Sequence, residues 1–381
     1  MNGGDVLFCG AWDEGPGYPR TTSLRLGLQA AGFAVHTCHR PGLGRDKQRL
    51  LRSPWRWPST WAAQRRQRRL LLADLRTAMR DVQPRCVVVP YPGHAVVEAV
   101  RDTVDVPVVL DLFLSAYDTV VEDRELARPG SLLAWWLQRL DARACAAADL
   151  VLLDTPANAA YAQALTGLPA ERFGWLPVHD PQAPAAALPW CGGPAEWLRV
   201  LFFGTGVPLH GLGTLLDAVR AVPAVQLTLV GGTSADRARA TAELGPRLRL
   251  EPSFVDRARL QELLAQSQVV AGVFGSSGKA QRVVPFKLVH ALAAGRPVLT
   301  ASTPAVDGWL DGSGAVFTTP AGDAAALAAR LHELAASPEL VTSAGAVARA
   351  AYDRHFGTDR LASRWRELLD RLSRPSLGDA A

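Results

Sequence analysis

Short β-rich apolar runs alternate along the chain with longer stretches whose apolar positions recur at helical spacing. That alternation predicts layered parallel α/β structure. In the first half, runs at 5–9, 33–37, 86–90, 106–111 and 150–154 read as strands, and 22–31, 65–80 and 131–148 as helices. A second series follows, with strands at 199–203, 226–230, 269–274 and 297–301 and helices at 211–221, 259–266 and 284–294. Helices at 323–336, 338–355 and 358–372 close the chain. Between the two series, residues 180–196 hold four prolines and two glycines, the composition of a linker.

The expected architecture is therefore α/β, with two facing Rossmann-like domains and a cleft between them. Residues 1–180 form the first domain, 181–196 the linker, 197–355 the second domain, and 356–381 a helix that crosses back. In open α/β sheets ligands sit beyond the carboxyl ends of the strands. The loops after Cys9, Pro90, Leu110, Phe203, Val230 and Phe274 are thus where chemistry is expected.

Composition narrows the class. Of 381 residues, 48% are hydrophobic and 20% charged, which excludes a largely disordered chain. Five dispersed cysteines without a CxxC pair argue for a reducing compartment, with neither a disulfide frame nor a zinc site. No apolar run reaches the ~18–20 residues of a spanning helix, and the start lacks a signal peptide's basic end and apolar core. A soluble, cytoplasmic protein is expected.

The formal charge of +5 is unevenly spread. Residues 40–85 carry thirteen Arg or Lys against three Asp, a local +10, so the remainder is mildly acidic at −5. Trp55, Trp57 and Trp61 lie in that segment. Arg interleaved with indole suits an anionic membrane surface; nucleic acid is the weaker match. Lysine is the second anomaly: only Lys47, Lys279 and Lys287 occur, two of them within nine residues.

Two loops gather candidate chemistry. Gly204-Thr205-Gly206-Val207-Pro208-Leu209-His210-Gly211 follows a strand and opens a helix, where glycines let phosphate approach backbone N–H groups. Leu209 stands where the third glycine of a dinucleotide fingerprint belongs, so that fingerprint is not met. The second loop runs from Gly275 through Ser277, Lys279, Arg282 and Lys287 to a helix begun by Pro285. Three cations at a helix N-terminus suit a diphosphate without a metal.

The stretch Pro285-Phe286-Lys287-Leu288-Val289-His290-Ala291-Leu292-Ala293-Ala294-Gly295-Arg296-Pro297-Val298 resembles the donor-site segment of the GT-B-fold, family 4-like (group 1) glycosyltransferases. The loop at Gly204 and the segments 111–119 and 148–155 resemble further parts of the same family, so the likeness spans nearly the whole chain. It implies transfer of a sugar from a nucleotide-diphosphate sugar to an acceptor hydroxyl, with retention, without metal and with no cofactor beyond that donor. Gly204, Thr205, Gly206, His210, Gly211, Val255, Ser277, Lys279, Arg282, Lys287 and His290 would then hold the donor. Gly15, Gly17 and Arg20 would form the flexible loop of the first domain, and Asp111, Asp118 or His94 would orient or deprotonate the acceptor. A surface polysaccharide or membrane-associated acceptor, met at the inner face of the membrane, fits the basic segment. Two family glutamates spaced eight apart fall here on Arg282 and His290, and a family Arg and Lys on Thr205 and His210. These departures keep open a weakly active or non-catalytic nucleotide-binding protein and, less readily, a nucleotide-sugar epimerase.

Overall fold

The computed structural model describes residues 3–15, 19–41, 57–193, 196–310 and 312–373. They form two compact units. The first comprises Met1–Val121, Leu126–Pro181 and Thr358–Ala381; the second comprises Glu122–Glu125 and Gln182–Gly357.

In the first unit, β1 (Asp5–Trp12), β2 (Ala34–Pro41), β3 (Cys86–Val89), β4 (Val108–Asp111), β5 (Leu150–Leu153) and β6 (Phe173–Trp175) form a parallel sheet in the order β2-β1-β3-β4-β5-β6. Helices α1 (Pro19–Ala30), α2 (Trp57–Val82), α3 (Val97–Arg101), α4 (Leu132–Ala146) and α5 (Pro156–Thr166) connect the strands. β3, β4 and β5 are buried at every position. Being covered on both faces, they read as unbroken Val/Leu runs rather than as alternation. One face packs α2 to α5 through Leu71, Leu75, Val97, Ala144 and Ala162. The other packs α1 with the closing helix Thr358–Leu372 through Leu24, Leu28, Trp365 and Leu368.

The second unit repeats the plan. β7 (Leu198–Gly204), β8 (Val225–Gly231), β9 (Leu248–Leu250), β10 (Val269–Ala271), β11 (Val298–Ala301) and β12 (Val316–Thr319) are parallel, in the order β12-β11-β10-β7-β8-β9. Around them lie α6 (Leu212–Ala221), α7 (Ser234–Leu244), α8 (Arg257–Ala265), α9 (Gly278–Arg282), α10 (Phe286–Ala293), α11 (Pro304–Leu310), α12 (Ala324–Ala336) and α13 (Pro338–Phe356). The linker residues Leu188 and Pro189 dock on this unit, their carbonyls accepting from Arg296 Nη2 at 2.8 and 2.9 Å.

Local structure departs from the sequence pattern at several points, and the helices α3, α5, α7 and α11 were not among those expected. The helix expected over 284–294 is α10, and the polar loop expected before it holds a short helix, α9, separated from α10 at Val283–Pro285. Pro285 disfavours helical geometry at Val284 and restarts the chain as the residue before α10. β6, β9 and β12 were not foreseen, because Gly174, Arg249 and the exposed Thr318 interrupt them and leave no unbroken apolar run of the kind that marks β3, β4 and β5.

The closing helix completes the first unit. Trp365 is fully buried, and its Nε1 donates to the Leu24 carbonyl at 3.0 Å. Gly27 makes room for it, since a Cβ there would stand 2.9 Å from Trp365 Cδ1. Trp365→Ala should cost about 3–5 kcal/mol. Urea unfolding followed by circular dichroism should show the loss in the transition of the first unit alone.

Candidate functional site

In the second sheet the chain moves outward from β7 through β8 to β9 on one side, and through β10 and β11 to β12 on the other. The crevice between the β7 and β10 ends is the topological switch point, where such sheets bind ligands. The loops that leave those two strands are tied together: Phe274 N donates to His210 O at 3.0 Å, and Gly275 N to Leu209 O at 3.1 Å. Gly211 permits this approach. Its φ is +57°, and a Cβ would lie 2.5 Å from the Phe274 carbonyl carbon. Gly204 opens the mouth of the crevice, where a Cβ would stand 2.7 Å from His210 Cε1 and 3.2 Å from Lys287 Nζ.

Lys287 lies in the first turn of α10 and is buried, with Nζ 3.9 Å from the centroid of the Phe202 ring. Its Nζ has no hydrogen-bond partner, nor has the buried Nδ1 of His210. Burial pushes the Lys287 ammonium down to about 7. Burial, and then the Lys287 charge, push His210 down to about 3, which keeps its imidazole neutral. The aromatic face supplies cation–π attraction but leaves the ammonium's hydrogen-bonding capacity unmet. An anion bound beside Gly204 would give the Lys287 ammonium an acceptor, and would favour its charged form.

The other donor-side candidates are arranged differently. Gly206 abuts the start of α7, where a Cβ would lie 2.9 Å from Thr233 N, and Thr205 precedes it in the same loop. That helix is capped by its own side chains, Thr233 Oγ1 accepting from Asp236 N and Asp236 Oδ2 from Thr233 N. Ser277 caps α9 by accepting from Ala280 N. Lys279 Nζ lies 3.3 Å from Asp123 Oδ2, and Arg282 Nη2 donates to Glu122 Oε2 at 2.9 Å. Both acids belong to the stretch Glu122–Glu125 that groups with this unit. So the three expected phosphate cations are not equivalent: Lys279 and Arg282 are in ion pairs, and Lys287 is not.

His290 follows one turn along α10 from Phe286, their ring centroids 4.3 Å apart. Arg257 Nη1 lies 2.8 Å from His290 Nδ1. Because guanidinium only donates, Nδ1 accepts and Nε2 carries the proton. Arg257 was not singled out in the sequence, and nothing in its local pattern marks it: the contact spans 33 positions. Val255 is partly buried beside the core that includes Leu288 and Leu292.

The first unit shows two polar networks at the carboxyl end of its sheet. In one, Arg20 Nε and Nη2 reach Asp111 Oδ1 at 3.0 and 2.8 Å, while Nη1 donates to Leu176 O and Nη2 to Leu153 O. Asp111 is fully buried. Arg20, expected in the phosphate loop, and Asp111, expected beside the acceptor, are thus joined in a buried ion pair that ties α1 to β4. Burial also raises the nearby Asp154, whose Oδ1 accepts from Asn158 Nδ2 at 2.6 Å. Gly15 has an open surrounding at φ +120°, and Gly17 lies outside the described residues.

The second network centres on Asp141, also fully buried and not singled out in the sequence. Its carboxylate accepts from Ser115 Oγ at 2.7 Å, Ala116 N at 3.0 Å and Tyr117 N at 2.9 Å, and meets His94 Nε2 at 2.8 Å. Asp118 N donates to Ser115 Oγ at 3.0 Å. His94 and Asp118 therefore share one network, and Asp111 belongs to another. An ionised Asp141 only accepts, so the His94 proton sits on Nε2 and Nδ1 is left as the acceptor.

Two predictions follow from the charges. Unfolded, Lys287 titrates near the ordinary lysine value of 10.5; folded, burial brings it down to about 7. Between those values the unfolded chain holds the extra proton, so stability falls as pH drops from about 10 to about 7 and then levels. Lys287→Met should remove that dependence and raise the Tm of the unliganded protein by a few degrees, about 2–4 °C per kcal/mol for a unit of this size, read by calorimetry across pH. In the first unit, Arg20→Ala should cost about 3–5 kcal/mol by leaving a buried carboxylate unpaired. Chemical denaturation measures it, and Asp111→Asn should also lower stability rather than only turnover.

Residues 198–337 match the family model described as "Glycosyl transferases group 1". No curated protein matches the chain in sequence. Among solved structures, the sucrose-phosphate synthase of Thermosynechococcus elongatus superposes with a TM-score of 0.68 at 16% identity, covering 97% of this chain and 99% of that one. Anabaena HepE in complex with UDP-glucose superposes at 0.65 with 17% identity, covering 96% and 99%. A glycosyltransferase from Rickettsia africae superposes at 0.62 with 9% identity, covering 99% and 100%. The two six-stranded parallel sheets are those of the GT-B fold, and the segment from 198 to 337, which holds Gly204, His210, Lys287 and His290, is the part of the chain similar to the group 1 glycosyl transferases.

Proposed function

We propose that the protein transfers a sugar from a nucleotide-diphosphate sugar to an acceptor hydroxyl. The acceptor oxygen bonds to the anomeric carbon, the bond from that carbon to the diphosphate breaks with its electron pair on the phosphate, and the hydroxyl proton is released. The carrying observation is Lys287: a buried ammonium without a hydrogen-bond partner, at the switch point of a sheet that matches the family model. Such a group is costly by itself and gains most from an anion. It would stabilise the leaving diphosphate, whose charge grows in the transition state.

HepE is solved with UDP-glucose, which makes UDP-glucose the first donor to try. His290 would offer Nε2–H to a ribose oxygen, where a carboxylate would instead accept from a ribose hydroxyl. Retention at the anomeric carbon and transfer without a metal are part of the proposal, on the family resemblance alone. So is an acceptor carried at an anionic membrane surface, reached through the basic segment 40–85, of which residues 42–56 lie outside those described. No helix among the described residues is long and apolar enough to cross a membrane.

A second reading has an observation in its favour. Lys279 and Arg282 are already paired with Asp123 and Glu122, which suits a protein that binds a nucleotide without turning it over.

Calorimetry with UDP at pH 8 in two buffers of different ionisation enthalpy separates the outcomes. Diphosphate binding at Lys287 should take up close to one proton, and Lys287→Met should abolish binding. Binding with no proton uptake would sink the assignment of Lys287. Release of UDP from UDP-glucose, followed in the presence of acceptor extracts, then supports transfer; binding without release supports the second reading.

A further inference from the structure

Five large apolar side chains stand out of the first unit within eleven residues. Leu126 is 67% exposed, Leu132 88%, Leu133 47%, Trp135 54% and Trp136 53%. The last four open α4, and the same helix buries Ala134 and Leu137 on its inner side. Isolated exposed apolar residues are ordinary, but a contiguous aromatic and aliphatic group is not.

The position of this group is fixed by contacts further along α4. Asp141 is level with the carboxyl end of β4, because it binds Ser115, Ala116 and Tyr117 just beyond that strand. The first turns of α4 therefore project past the carboxyl edge of the sheet. α2 behaves likewise. Asp74 is level with the end of β2, through its ion pair with Arg40, and the side chains at 65–70 are exposed ahead of the buried Leu71. Its preceding turns project past the same edge, with Arg65, Arg66, Arg68 and Arg69 all exposed. Both helices pack on the same face of the sheet, since Leu71, Leu75, Ala144 and Cys145 share one core cluster.

One edge of one face thus presents an apolar, indole-rich helix start and a guanidinium-rich helix. Arg139 joins the two chemistries, its guanidinium stacked 4.6 Å over the Trp135 ring. Among the described residues, the exposed turn at 65–70 carries no acid.

We infer that the projecting start of α4, with the basic turns of α2, is a docking surface for an anionic lipid bilayer. The indoles and leucines would enter the interface while the arginines pair with lipid phosphates. Cation complementarity favours this occupant over a second copy of the chain, whose identical arginines would face one another. The inference deepens the membrane part of the proposed function by naming the apolar half of the contact, and it does not depend on sugar transfer.

Flotation of the full chain with phosphatidylcholine vesicles, with and without phosphatidylglycerol, tests it. The wild type should float with the anionic vesicles. The double variant Trp135→Ser, Trp136→Ser should lose at least ~tenfold in partitioning even at low salt, because apolar insertion is removed. Arg65→Gln, Arg66→Gln, Arg68→Gln and Arg69→Gln together should erase the difference between the vesicle types. UDP calorimetry and thermal unfolding should be unchanged in both variants. Wild-type protein that floats with neither vesicle overturns the inference and the membrane reading together. Tryptophan variants that float like the wild type overturn the inference while leaving the basic segment in place. A wild-type dimer in light scattering that the tryptophan variants convert to monomer, without loss of flotation, assigns the surface to a second copy and overturns it too.

Discussion

An ammonium group held out of water against an aromatic ring, with no hydrogen-bond partner, is the constraint around which the second unit is organised. Lys287 is placed there by α10, its Nζ 3.9 Å above Phe202, and that ring lies in the β7 strand at the centre of the sheet. A buried cation is costly unless something answers its charge. Its surroundings limit that cost. The ring face attracts it weakly, and the depressed pKa lets it shed its proton near neutrality. The site is therefore electrostatically incomplete by itself, which distinguishes a binding centre from a structural ion pair.

The neighbours make sense against that requirement. His210 is kept neutral by burial and by Lys287, so two cations do not compete in the same crevice. Gly204 must lack a side chain, because any Cβ would strike His210 and crowd Lys287. Gly211 must accept a positive φ so that the loop carrying His210 can lie against Phe274. The first unit follows the opposite rule. Arg20 and Asp111 satisfy each other, and Asp141 is answered by a histidine, a hydroxyl and two backbone amides. Charges that complete one another hold a fold together; a charge left incomplete waits for a ligand.

How much of this was legible beforehand follows from the range of each interaction. The long apolar runs of β1, β3, β4, β5, β7 and β8 show in the sequence because a strand covered on both faces must be apolar throughout. The scarcity of lysine pointed at the 279–287 stretch, and the glycine loop after Phe203 pointed at the switch point. What could not be read was pairing across large separations. Arg20 meets Asp111 over 91 positions, Arg257 meets His290 over 33, and Lys279 meets Asp123 over 156. Counting cations in a loop treats Lys279, Arg282 and Lys287 as equals, whereas acids brought from elsewhere in the chain make them unequal. The exposed tryptophans of α4 were hidden for a similar reason. A helical pattern with two indoles looks like core until the sheet edge it overhangs is known.

That inequality bears on Arg282 and His290, which stand where the glycosyltransferases that the sequence resembles carry two glutamates. A carboxylate at either place would lower the positive charge of the crevice, and its absence by itself would raise it. The rise is offset locally, since Glu122 and Asp123 sit against Arg282 and Lys279. Both acids lie on another segment grouped with the same unit. A guanidinium and a neutral imidazole at these places therefore need not make the crevice more cationic overall. It changes which cation remains uncompensated, and that one is Lys287. A diphosphate drawn to the crevice would meet a single buried ammonium, with the paired cations beside it as a reserve that responds only if their acids withdraw.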